Sequence, residues 1–154
     1  MIVYHSISLT AKYSSKTWSI TMENNIGIKI GITEPLINNL VHSFYNTVRK
    51  DPFIGPIFNE IIKDNWDKHL SQMCDFWSNI ALSTSRYKGQ PLLKHIKIPQ
   101  LNEEHFARWL SIFEENAHSI CPEEMANFFI DRARKIAQSL MFGIEAYNGK
   151  DILK

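Results

Sequence analysis

Apolar residues recur every three or four positions along the chain, and nowhere do they alternate. This periodicity limits the fold to packed amphipathic helices. Ile37, Leu40, Val41, Phe44, Tyr45 and Val48 follow it in the first such stretch. Thr33 is the expected N-cap of that helix, and Pro35 falls in the first turn, where a missing N–H costs little. Asp51-Pro52 ends the stretch, and Phe53 to Phe58, with Gly55 and Pro56, reads as an irregular bend before Ile61 and Ile62. A second helix is expected over roughly Asn65 to Ser83, carrying Trp66, His69, Leu70, Met73, Phe76, Trp77 and Ile80. That apolar stripe is wide enough to cover a cavity on one side and core on the other.

Tyr87-Lys88-Gly89-Gln90-Pro91 breaks the second helix. Leu92, Leu93, His95, Ile96 and Ile98 then make a short turn or helix, stopped by Pro99. Asn102 is the expected cap of a helix with Glu103, Glu104 and His105 in its first turn, continuing through Phe106, Trp109, Leu110, Phe113 and Ala117. The last helix is expected to start near Cys121-Pro122-Glu123-Glu124 and to carry Met125, Phe128, Phe129, Ala133, Ile136, Ala137, Leu140 and Met141. Gly143 is a candidate stop, and Tyr147-Asn148-Gly149 reads as tail. The fold class is all-α. The expected division is an N-terminal extension over 1–25, disordered or strand-like, a helical domain over 26–147, and a C-terminal tail over 148–154.

A chain of 154 residues suits one domain, and 44% hydrophobic residues can bury a core. A net charge of +1, with no long Lys/Arg run, gives no nucleic-acid footprint. No stretch approaches a membrane span, and the first residues lack a signal-peptide pattern, so a cytoplasmic protein is expected. Cys74 and Cys121 form no C-x-x-C pair, so neither a disulfide scaffold nor covalent haem attachment is expected; Cys121 flanks a turn.

Few residues carry chemistry by type. His95 could offer a neutral imidazole to a haem iron, with Leu92, Leu93 and Ile98 sealing an apolar pocket, or it could be a capped or surface histidine. Tyr45 needs a hydrogen-bond partner if buried, which a ligand or a helix end could supply. His69 shares a face with Met73 and Phe76, yet it also fits an exposed opening turn. The Trp109 indole N–H needs an acceptor if buried, whereas Trp66 and Trp77 read as core. His5, His42, His105 and His118 have no comparable case. Glu114 with His118 is an i,i+4 pair that could belong to a carboxylate metal site, but its matching partner is missing.

The joint order of these residues resembles the truncated haemoglobin family, specifically its third group, over about Ile32 to Ile144. The resemblance is carried by Phe44-Tyr45-Asn46-Thr47-Val48-Arg49-Lys50-Asp51-Pro52, Gly55-Pro56-Ile57-Phe58, Trp66-Asp67-Lys68-His69 and Phe76-Trp77. It continues in Tyr87-Lys88-Gly89-Gln90-Pro91-Leu92-Leu93-Lys94-His95, His105-Phe106-Ala107-Arg108-Trp109-Leu110 and Arg132-Ala133-Arg134-Lys135-Ile136. The Gly-Gly motifs of the first group are not seen, and the arm before about Ile26 departs from the family.

The resemblance implies a shortened globin, two helices over two, enclosing haem b. It assigns His95 as the proximal iron ligand, Tyr45, His69 and Trp109 as distal residues, Phe58 as the wedge against the porphyrin, and Met73 as an apolar distal lining residue. Phe76 joins the haem-contacting set. The implied function is binding of dioxygen, with carbon monoxide, nitric oxide and cyanide as related ligands. Oxygen transport is one use. Nitric oxide dioxygenation or peroxide handling is another, and either would need an external reductase. A monomer is expected. The competing reading is a haem-free globin-like sensory or interaction module, and a third is a non-haem metal protein.

Overall fold

A computed structural model describes residues 25–151 of the chain. The expected extension therefore lies outside the described residues up to 24, as does the tail from 152. The elements are α1 (Ile26–Lys29), α2 (Glu34–Val48), α3 (Gly55–Ile62), α4 (Trp66–Leu82), α5 (Pro91–Ile96), α6 (Glu103–Ile120) and α7 (Glu123–Asp151). No strand occurs among the described residues.

The helix starts follow local chemistry. The Thr33 hydroxyl accepts from the Leu36 N–H at 3.3 Å, with proline in the first turn of α2. Asn102 caps α6, its Oδ1 accepting from Glu104 N at 3.0 Å and His105 N at 3.3 Å. His105 completes the box by accepting from the Asn102 N–H, also at 3.3 Å. Cys121 is the C-cap of α6. Asn25 caps α1 and donates to the Ser83 hydroxyl at 2.7 Å, which ties α1 to the end of α4.

Helix α2 packs on both α4 and α6, and α6 on α7, which makes two helices over two and meets the all-α expectation. One aromatic from each long helix meets at the centre. Phe113 of α6 lies 5.2 Å from Phe44 of α2 and stacks at 5.1 Å on Trp77 of α4. Trp77 in turn meets Phe129 of α7 at 5.7 Å. Such ring pairs favour edge-on and offset arrangements and add to the area they bury. Buried Asn116 fixes the α2–α6 crossing: its amide donates to the Leu40 carbonyl at 3.0 Å and its oxygen accepts from Ser43 at 2.6 Å.

Two expectations are corrected. The passage from Phe53 to Phe58 is not an irregular bend, because α3 already begins at Gly55 with Pro56 in its first turn. The entry is held by Asp51, whose Oδ1 accepts from Phe53 N at 3.0 Å and Ile54 N at 2.9 Å. Nor does the last helix stop at Gly143, or give way to tail at Tyr147-Asn148-Gly149; α7 runs on to Asp151. Gly143 is a docking notch. A Cβ there would lie 2.9 Å from one methyl of Leu92 and 3.2 Å from its Cγ, so glycine lets α5 seat on α7.

Gly27 lets α1 cross closely over α4. A Cβ at this position would collide with the Ala81 carbonyl oxygen and stand 3.0 Å from the carbonyl carbon. Gly27→Ala should therefore destabilise the fold by about 1–3 kcal/mol, as overpacking against backbone does. Gly149→Ala, with nothing within 4 Å of the new methyl, should be neutral or stabilising by up to about 1 kcal/mol. Urea titration of the two variants checks the contrast.

Asp51 gives a pH-dependent contribution. Burial pushes its carboxyl up, but the Ile54 N–H, the Arg108 guanidinium and the Phe53 N–H together outweigh burial and hold it below the usual carboxylate value of 3.8. Arg108 reaches Asp51 Oδ2 from Nε at 2.8 Å and from Nη2 at 2.7 Å. A depressed folded-state pKa stabilises the fold above the unfolded value, and that stability is lost as pH falls through the folded value. Asp51→Ala should cost about 1.5–3 kcal/mol near neutral pH, the range for charged hydrogen bonds. The difference from the parent should shrink below pH 3.8. Chemical denaturation across that pH range measures it.

Candidate functional site

A largely apolar cavity of about 170 Å³ lies between the helix layers. Tyr45, Phe58, His69, Met73, Phe76, His95 and Trp109 all line it, so the fold brings these seven candidates together. Helix α2 contributes Tyr45, α3 Phe58, α4 His69, Met73 and Phe76, α5 His95, and α6 Trp109.

His95 sits on a six-residue helix begun by Pro91. Its Nδ1 lies 2.7 Å from the Pro91 carbonyl oxygen. A carbonyl only accepts, so Nδ1 carries the proton in this bond, and in the neutral ring the lone pair is the one on Nε2. A histidine fixed through one nitrogen and basic at the other is the arrangement a metal ligand requires. The expectation that Leu92, Leu93 and Ile98 would seal the pocket is not met. Leu92 packs into the Gly143 notch, Leu93 is 54% exposed, and Ile98 is not part of the wall. Leu101 and Phe106 line the cavity instead, the Phe106 ring 6.5 Å from that of His95. The i,i+3 and i,i+4 partners of a short helix face its neighbours, and only the seating of α5 on α7 decides which ones look inward.

His69 is not an exposed opening-turn residue. Its Nε2 is fully buried and, among the described residues, finds no hydrogen-bond partner. Burial first, then the positive charge of Lys94, with His95 adding to it whenever its ring is protonated, push its pKa down to about 4. The ring is therefore neutral at physiological pH, and one of its polar atoms is unpaid for by the protein. Tyr45 stands edge-on to His69 with ring centroids 4.9 Å apart. It also meets Phe58 at 6.0 Å and Trp66 at 6.1 Å. Burial first, and the nearby Tyr87 phenol second, raise the Tyr45 hydroxyl well above its ordinary pKa, so it remains a proton donor. Trp109 stacks on Phe113 at 5.5 Å and meets Phe44 at 5.4 Å, which fixes its indole plane against the cavity.

Trp66 and Trp77 are both core residues, as expected, and Trp77 also lines the cavity. Sequence reasoning passed over several wall residues: His105, Tyr87, Lys94, and Ile136 and Leu140 of α7. His105, set aside in the sequence, reaches the cavity from the start of α6 and stacks on Phe53 at 4.6 Å. Its place three residues after the Asn102 cap was the available signal. The Glu114–His118 pair is not a metal site, since Glu114 is engaged by Arg134 at 2.7 Å. Among the described residues no group of three or more His, Cys, Asp or Glu side chains could hold a metal ion. A metal here would need ligands beyond those side chains, as a macrocycle provides. No helix among the described residues is long and apolar enough to cross a membrane.

No family model matches the chain. It is 37% identical over 121 residues to the Group 3 truncated hemoglobin ctb of Campylobacter jejuni, an alignment covering 77% of this chain and 95% of that protein. It is 28% identical over 118 residues to the Group 2 truncated hemoglobin YjbI of Bacillus subtilis, covering 75% of this chain and 88% of the relative. The crystal structure of the group III truncated hemoglobin from Campylobacter jejuni superposes with a TM-score of 0.70 at 37% identity, over 73% of this chain and 91% of that one. A similarity of this extent, on a two-over-two helical fold, makes the chain a member of the group III truncated hemoglobin family.

Proposed function

We propose that the cavity holds haem b, with His95 as its protein ligand, and that the chain binds dioxygen and related diatomic molecules. The observation that carries this reading is the pairing of two histidines in one apolar cavity. His95 is tied through Nδ1 and bare at Nε2, and His69 has a buried Nε2 with no partner. The residues fit the group: an apolar wall with aromatic rings suits a flat macrocycle, and a single fixed imidazole suits its metal. Haem supplies the iron at which a diatomic ligand is taken up. The chain supplies everything around it. Tyr45 presents a hydroxyl that burial keeps protonated, His69 a neutral ring, and Trp109 an indole N–H, each able to donate to a ligand on which negative charge builds.

Such donors favour slow ligand release, which suits redox chemistry on nitric oxide or peroxide, supported by an external reductase, better than transport. The protein is expected to work as a cytoplasmic monomer. A haem-free interaction module leaves the His95 tautomer and the orphaned His69 nitrogen without a purpose. The test is an ultraviolet–visible spectrum of purified protein given haem: ferric, then reduced, then exposed to oxygen and to carbon monoxide. A Soret band that shifts with each ligand is the expected result. No Soret band after haem addition would remove this reading and leave the interaction module in its place.

A further inference from the structure

The segment between α4 and α5, residues 83–90, is held by a cluster of ion pairs that the site above does not use. Arg86 reaches across it to two helices. Its Nη2 donates to Glu34 Oε1 at 2.8 Å and Oε2 at 2.9 Å, at the start of α2, and its Nε donates to Asp75 at 2.9 Å on α4. Beneath the guanidinium lies fully buried Ser78, which donates to Glu34 at 2.7 Å and accepts from Arg86 at 3.0 Å. Thr84 meets the same hydroxyl at 3.1 Å. The segment needs such a clamp because Ser83 and Ser85 stand at φ of 57° and 58°, a region that costs energy for residues with a Cβ.

The residue after Arg86 is Tyr87, part of the cavity wall, its ring edge-on to Phe76 at 5.2 Å. On its other side the ring lies over Gly89, where a Cβ would collide with the phenol. Tyr87 is thus placed from two directions, by the anchored backbone at Arg86 and by the seat that the bare Cα of Gly89 leaves for its ring.

We infer that Arg86 is a positioning residue for the cavity: it bridges Glu34 and Asp75 so that Tyr87 closes one wall and restricts the passage of small ligands. Exposed ion pairs contribute little to global stability, so the effect of losing this clamp should be local. The inference rests on the haem reading for its kinetic readout only; the placement of Tyr87 can be followed without it.

The test uses the full chain loaded with haem and labelled with 13C-tyrosine. Tyr87 resonances and the carbon monoxide association rate are measured in Arg86→Gln, Gly89→Ala and Tyr87→Ala. Arg86→Gln and Gly89→Ala displace Tyr87 from opposite sides. Each should shift the Tyr87 signals and raise the rate at least about twofold, the low end of couplings between contacting residues. Arg86→Lys keeps the charge but not the two-sided fork, and should fall between. In the Tyr87→Ala background, Arg86→Gln should add nothing, a non-additivity that a general loosening would not produce. Unmoved Tyr87 signals in Arg86→Gln, or an undiminished rate effect once Tyr87 is gone, would overturn the inference. Absence of a Soret band would fell the haem reading instead, and the Tyr87 signals alone would then decide the positioning role.

Discussion

His95→Gly protein should fail to retain haem, with affinity falling by more than the roughly 10–100-fold that loss of a supporting outer-shell contact costs. Imidazole added to the buffer should restore the Soret band by occupying the space the side chain leaves. The expectation follows from the His95–Pro91 hydrogen bond at 2.7 Å, which fixes which nitrogen is basic and how the ring is aimed. The other lining histidines are poorly suited to replace it. His105 uses its Nδ1 lone pair to accept from the Asn102 N–H, which puts the neutral ring's proton on Nε2, and His69 lies on a different helix, beside Tyr45. His69→Leu should accordingly leave haem retention intact. Titration of the haem-free variants with haem, followed at the Soret maximum, separates these outcomes. Retention unchanged in His95→Gly but lost in His69→Leu would reverse the assignment and make His69 the ligand.

The helices themselves were legible in the sequence because their signals are local. Thr33 and Asn102 declare helix starts by side-chain chemistry alone, and the three-to-four-residue apolar repeats to which Phe44, Trp77, Phe113 and Phe129 each belong mark faces that must be buried. Gly55 and Gly143 misled for one shared reason. A glycine signals either chain freedom or close approach, and only tertiary packing tells which. At Gly55 the neighbour is the backbone of Val48 and Arg49; at Gly143 it is Leu92. The cavity candidates were legible through resemblance more than through spacing, because Ile136 and Leu140 on a cavity wall show the same periodicity as residues in solid core. Tyr87 was missed because the segment that carries it is held by distant partners, Glu34 and Asp75; the His105 cap is local, but only the packing of α6 turns that cap toward the cavity. The orphaned His69 nitrogen had no sequence signal at all, since a missing partner is a property of the folded interior.

Tyr45→Phe should speed dioxygen release by about 10- to 100-fold, the range expected for losing a hydrogen bond of about 1.5–3 kcal/mol to a charged acceptor. Three observations set this expectation. The ring is buried, at 5% exposure, and wedged among Phe44, Phe58, Trp66 and His69, so phenylalanine would keep the same place and remove only the hydroxyl. The hydroxyl stays protonated because burial raises its pKa, so it donates throughout the physiological range. The cavity is largely apolar, and a hydrogen bond there is weakly screened by water. Carbon monoxide carries less negative charge when bound, so its release should change by a smaller factor than that of dioxygen. Stopped-flow displacement with both gases reads the two rates on one sample. Equal acceleration for both would mean that Tyr45 only shapes the cavity, and the donor role would pass to His69 or Trp109. An unchanged dioxygen rate would remove Tyr45 from the ligand altogether. If His69 shares the load, Tyr45→Phe combined with His69→Leu should exceed the sum of the single changes, because each donor can partly compensate for the other across the 4.9 Å that separates their rings.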